Sequence, residues 1–150
     1  MRLLLTAVAA LALAVGSAGA AIETGSITAR LTLDGKALRP ELALTSDARS
    51  LGLMNRRKAP ADGMLFVFPG PTRGGFWMKD TLVPLTIVFF NADGERVRKL
   101  SMTPCRTDQC KIYDPGRTYR FALELRASDV RPAKRLGPLG ELRRLVRQAR

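Results

Sequence analysis

The stretch YRFALEL, residues 119–125, decides how the chain folds. Tyr119, Phe121, Leu123 and Leu125 alternate with Arg120, Ala122 and Glu124. A period of two marks a strand with one buried and one solvated face, so the spacing predicts Arg120, Ala122 and Glu124 turned outward. MLFVF (64–68) is apolar on both faces and VPLTIVFF (83–90) largely so, as central strands are. SITARLTL (26–33) alternates again and runs into Asp34-Gly35, a strong two-residue hairpin signal. The return, KALRPELAL, puts Leu38, Leu42 and Leu44 on one face, with Pro40 marking an edge strand or a bulge.

Turn chemistry sets the remaining boundaries. Thr45 or Ser46 caps a short helix through DARSLGLM, and Gly52 stops it. PGPTRGG (69–75) holds two prolines and three glycines and reads as a loop. NADGE turns the chain at Gly94 into the strand RVRKLSM. A second short helix is expected from Ser128 to about Arg135, ending near Gly137, and ELRRLVRQAR (141–150) reads as a strand or a frayed helix. The expected fold is mainly β (α+β): a single compact domain with an antiparallel, barrel-like sheet and one or two short helices. No crossover helix is long enough for a doubly wound parallel sheet.

The first twenty residues read as a signal peptide. Arg2 precedes an apolar run from Leu3 to Val15, and Ala18-Gly19-Ala20 fits the small-residue cleavage rule. The run is short for a transmembrane anchor, and no basic stop-transfer cluster follows it. A mature domain of residues 21–150, periplasmic or secreted, is the expectation. In such a compartment Cys105 and Cys110, with four residues between them in PCRTDQC, should pair as a structural staple. Redox-active pairs have two intervening residues and a helix start.

Composition narrows the chemistry. Histidine is absent, which removes the commonest general base and metal ligand, so neither a metal nor a cofactor is expected. The net charge of +12 favours anionic partners. Export points these toward envelope components and away from nucleic acid.

ELALTSDARSLGLMNR, DGMLFVF, FWMKDTLVPLTIVFF, DGERV, MTPC and YRFALEL follow one another over about residues 26–146. In order and spacing they resemble domain-of-unknown-function family 192, also called uncharacterised protein family 0127. The resemblance implies a compact, largely β, barrel-like domain and supplies no activity. Family members often carry Asn where this chain has Asp80, and Asp where it has Thr86 after the Pro-Leu pair. The second departure weakens any paired-acid catalyst.

The motif GGFWMKDTLVPL (74–85) admits two readings. In a strand Phe76 and Met78 face one way, Trp77 and Lys79 the other. The structural reading makes Phe76 and Met78 core, Trp77 a buried closure of the barrel rim, and Asp80-Thr81 a turn. The functional reading gathers Met54, Arg56, Trp77, Lys79 and Asp80 on one rim beside the glycine-rich loop, suited to a sugar or peptide. A monomeric, non-catalytic binding or accessory module of the cell envelope is the first expectation. It would take a small molecule, a glycan or an anionic envelope component. The alternatives are a hydrolase using Asp80 with Glu124 or Asp62, and a purely structural periplasmic protein.

Overall fold

The computed structural model describes residues 26–150; the proposed signal peptide, residues 1–20, lies outside them. In chain order the elements are β1 (Leu31–Leu33), β2 (Lys36–Leu38), β3 (Glu41–Ala43), α1 (Ser46–Leu51), β4 (Met64–Thr72), β5 (Phe76–Trp77), β6 (Leu85–Phe90), β7 (Arg96–Met102), β8 (Ile112–Tyr113), β9 (Tyr119–Arg126), β10 (Leu136–Gly137) and α2 (Leu139–Gln148). The domain is mainly β. Its main sheet has the order β3-β4-β9-β6-β7, beside a three-stranded sheet β10-β1-β2 and a ribbon β5-β8. The main sheet curls without closing into a barrel, because its edge strands β3 and β7 do not pair with each other.

β9 lies at the middle of this sheet. Leu123 stands opposite Leu65 of β4 and Val88 of β6, and Ala122 opposite Phe66 and Phe89. Each face carries its own apolar cluster. Leu65, Val67, Val88, Phe90, Phe121, Leu123 and Leu125 pack with the small sheet and with Leu142 and Leu145 of α2. On the other face Met64, Phe66, Ile87, Phe89 and Ala122 pack with Leu53, Met78 and Tyr113. The one-sided reading of 119–125 is therefore corrected. Ala122 and Glu124 are buried, because a second layer of short segments covers their face.

Other corrections follow from backbone hydrogen bonding. Asp34 and Gly35 take positive φ in the predicted hairpin. Pro40, however, divides the return into β2 and β3, which join different sheets. β3 pairs in parallel with β4 across α1, the one parallel pair among the described strands. Residues 69–72, read as loop, continue β4 through a register shift. Residues 128–135 form no helix. Pro132 interrupts it, and the backbone N–H groups of Lys134 and Arg135 donate to the Asp34 carboxylate at 2.7 and 2.9 Å. The C-terminal segment is the helix α2, placing Leu142 and Leu145 in the core.

Cys105 and Cys110 are bonded. The Cys105 N–H donates to Met78 O at 3.2 Å and its carbonyl accepts from Asp80 N at 2.9 Å. The staple thus fastens its loop to the FWMKD segment. Replacing both cysteines with serine should cost about 2 kcal/mol by loop-closure entropy. Urea denaturation checks this, and an unchanged midpoint would mean that the closed loop contributes nothing.

Candidate functional site

α1 and the segment after it form one wall of an open groove. Thr45 Oγ1 accepts from Ala48 N at 3.1 Å, satisfying one of the orphan donors of the first turn. Gly52 ends the helix at φ +48, where an added Cβ would lie 3.2 Å from the Phe66 ring. The chain can therefore press directly onto Phe66. Asn55 N then donates to Asp80 O at 2.8 Å, joining the GLMN and WMKD segments that sequence reading had brought together.

The groove has a volume of 410 Å3, within the range of small-molecule sites. Phe66, Phe68, Phe76 and Tyr119 lie along it, with Met54 and Trp77 at the edges and Thr81 and Glu124 inside. Its aromatic rings meet edge to face, Phe66 and Phe76 with centroids 4.9 Å apart and Phe68 and Tyr119 at 5.4 Å. Such contacts hold the rings in place. The Tyr119 hydroxyl donates to Gly74 O at 2.5 Å, anchoring the glycine-rich loop, and burial raises its pKa.

Trp77 is 50% exposed, which overturns the reading of it as a buried closure. Phe76 is partly buried in the core and Met78 fully so, and the alternation that directs them inward sends Trp77 outward. Trp77→Ala should therefore cost about 1 kcal/mol, against about 3 to 5 for a buried aromatic such as Phe66. Thermal melts of the two variants check this. A Trp77→Ala loss as large as that of Phe66→Ala would restore the core role.

Of the other residues expected on the rim, Met54 lines the groove and three do not. Arg56 is paired with Glu41 at 2.7 Å. Lys79 Nζ donates to the Asp108 carboxylate at 2.6 Å and to Thr107 O at 3.2 Å, so it clasps the disulfide loop. That hydrogen bond raises the Lys79 pKa and lowers that of Asp108. Asp80 takes φ +52 as a turn residue.

Glu124 is the one carboxyl lining the groove among the described residues. It is 5% exposed, stands opposite Met64 and Ile87, and makes no side-chain hydrogen bond among the described residues. Burial pushes its pKa up to about 8, so it is mostly protonated at neutral pH. Asp80 and Asp62 do not line the groove, and the Asp62 carboxylate accepts from Arg39 N at 2.8 Å. Thr86 shares its face of β6 with Val88 and Phe90, so position 86 points away from Glu124. Phe66, Phe68, Phe76, Tyr119 and Arg49 all line the groove and are not among the residues the sequence places on the rim. The available signal for the buried Glu124 was its place in a strand accompanied by two largely apolar ones.

A family model, DUF192, described as Uncharacterized ACR, matches residues 29–134. A crystal structure from Sinorhizobium meliloti 1021, described as a "putative transcription regulator", is 31% identical with a TM-score of 0.67, covering 77% of this chain and 96% of that one. A protein of unknown function from Novosphingobium aromaticivorans DSM 12444 is 23% identical with a TM-score of 0.66, over 78% of this chain and 89% of that one. The second likeness shows the fold alone. No curated protein matches the chain.

Proposed function

We propose, since the chain belongs to the DUF192 family, that this member is an exported, non-catalytic binding module of the cell envelope. Its ligand would be a small sugar or peptide fragment seated in the groove against Trp77. The observation that carries this reading is the half-exposed tryptophan at the edge of an open, aromatic-lined groove. A planar amphipathic ring in that position suits a ligand with one apolar face.

Export is supported by the leader-like residues 1–20 and agrees with the disulfide. The proposed mature chain is residues 21–150. The module would act as a monomer. The positive charge would favour anionic envelope material around the site. An exported chain meets no chromosomal DNA, so the regulator description stays with the Sinorhizobium protein. A glycosidase-like hydrolase would need two carboxyl groups about 5 to 9 Å apart, and the described residues put one, Glu124, in the groove. A purely structural role would leave the exposed Trp77 without a purpose.

Trp77 is the chain's only tryptophan, so its emission reports on this site alone. Titration with glycan fragments and muropeptides, with melting temperature followed in parallel, tests the reading. Binding should shift the emission and raise the melting temperature, and Trp77→Ala should weaken it. Ligands that raise the melting temperature equally in Trp77→Ala would move the site elsewhere. Recovery of the intact chain, with residues 1–20 still attached, from the cytoplasm would remove export.

A further inference from the structure

The acids of this chain are widely matched to its abundant arginines and lysines. Glu41 pairs with Arg56, Asp108 with Lys79, Asp129 with Arg131, Glu95 with Arg135 and Glu141 with Arg144. Glu124 is the only buried acid among the described residues, and it has no such partner. Its flanking residues on β4 and β6 are Met64 and Ile87. The other titratable groups lining the groove are Tyr119 and Arg49. The Arg49 guanidinium donates to the carbonyls of Leu44, Val67 and Arg150 and lies 5.1 Å from the centre of the Phe68 ring. A protein with 25 lysines and arginines has therefore left the one buried carboxyl among its described residues lining a groove of aromatic rings.

Desolvated aromatic rings and a carboxylate are the two groups that hold an organic cation. Resting on the groove being the ligand site, we infer that its interior is an ammonium subsite, in which Glu124 and the neighbouring aromatic side chains hold the cationic nitrogen of the ligand. On binding, the Glu124 carboxylic acid gives its proton to solvent and becomes the counter-ion of the R–NH3+ group. The only bond broken is the carboxyl O–H, whose proton passes to a buffer base, and the ligand's own bonds are unchanged. Because the empty site is mostly protonated below pH 8, the ionised fraction, and with it the affinity, should rise about tenfold per pH unit below that value.

The amine could belong to an amino sugar or to a lysine-like chain. Isothermal titration and Trp77 emission with n-pentylammonium, n-pentanol, glucosamine and glucose separate the two sources. The cation should bind at least about tenfold more tightly than its neutral counterpart in at least one pair. With n-pentylammonium, whose own charge is constant from pH 6 to 7, binding should tighten about tenfold over that interval. It should release nearly one proton at pH 7, measured in buffers of different ionisation heat. Glu124→Gln should erase the preference for the cation while the neutral probe still binds. A preference in the sugar pair alone would identify the amino sugar as the source. Equal binding within both pairs, without proton release, would overturn the subsite and leave the groove reading standing. No heat and no emission change with any probe would overturn both.

Discussion

Replacing Glu124 with glutamine should stabilise the protein by about 3 kcal/mol at pH 7 and leave it nearly unchanged at pH 4. The folded-state carboxyl titrates near 8, against an ordinary value of 4.5. Below pH 4.5 the group is protonated whether the chain is folded or not, and it contributes nothing to the pH dependence. Between pH 4.5 and 8 the unfolded chain releases the proton and the folded chain keeps it, so stability falls as pH rises. At about 1.4 kcal/mol per unit, the loss by pH 7 is about 3 kcal/mol. Glutamine has nearly the same shape and no proton to lose. Urea denaturation of both proteins at pH 4 and pH 7 reads the difference, which cancels the contribution of all other groups. Parallel pH profiles would mean that Glu124 is ionised in the folded state, and the groove would then be wetter than its burial indicates.

A comparably large loss is expected from Gly63→Ala. Gly63 precedes β4 at φ +76, and a Cβ there would lie 2.0 Å from the carbonyl oxygen of Glu124. The obstacle is backbone in the central strand, which no rotamer change relieves. The substitution should cost about 3 kcal/mol or more, combining the left-handed strain with displacement of β4 from β9. Gly35 supplies the control, with φ +79 and nothing within 4 Å of an added Cβ. Gly35→Ala should cost only the conformational part, about 1 kcal/mol. Equal losses in the two variants, by chemical denaturation, would show that β4 and β9 can yield at Gly63.

These two positions also show where the sequence could be read and where it could not. The apolar runs 64–68 and 83–90 marked β4 and β6 because their composition fits burial on both faces. Alternation in 119–125 identified β9, but Ala122 and Glu124 are equally at home on a solvent face. Their covering comes from Leu53 and Met78, which are distant in sequence, and from Tyr113 on the short strand just before β9, so no pattern within 119–125 could announce it. Trp77 misled for the matching reason. Its apolar neighbours fixed the direction of its side chain, while the absence of a layer above it is a tertiary fact. The Asp34 carboxylate receives the backbone N–H groups of Lys134 and Arg135. That bond takes donors the expected helix would have used, and it joins residues 100 positions apart or more. Met54 was placed on the groove by motif reading, and Arg49 was not, because its three carbonyl partners come from three separate segments.

Covering both faces of the main sheet divides the molecule by how readily its amide hydrogens exchange with solvent. In β9 the amides are hydrogen-bonded between β4 and β6 and enclosed between two apolar clusters. Their exchange requires opening of the whole domain. The β5–β8 ribbon has two residue pairs in register and carries Trp77 at its outer end, so its amides can exchange through local opening. The groove therefore joins a slowly exchanging floor to a faster rim, and ligand binding would be registered first in deuterium uptake by residues 76–77 and 112–113.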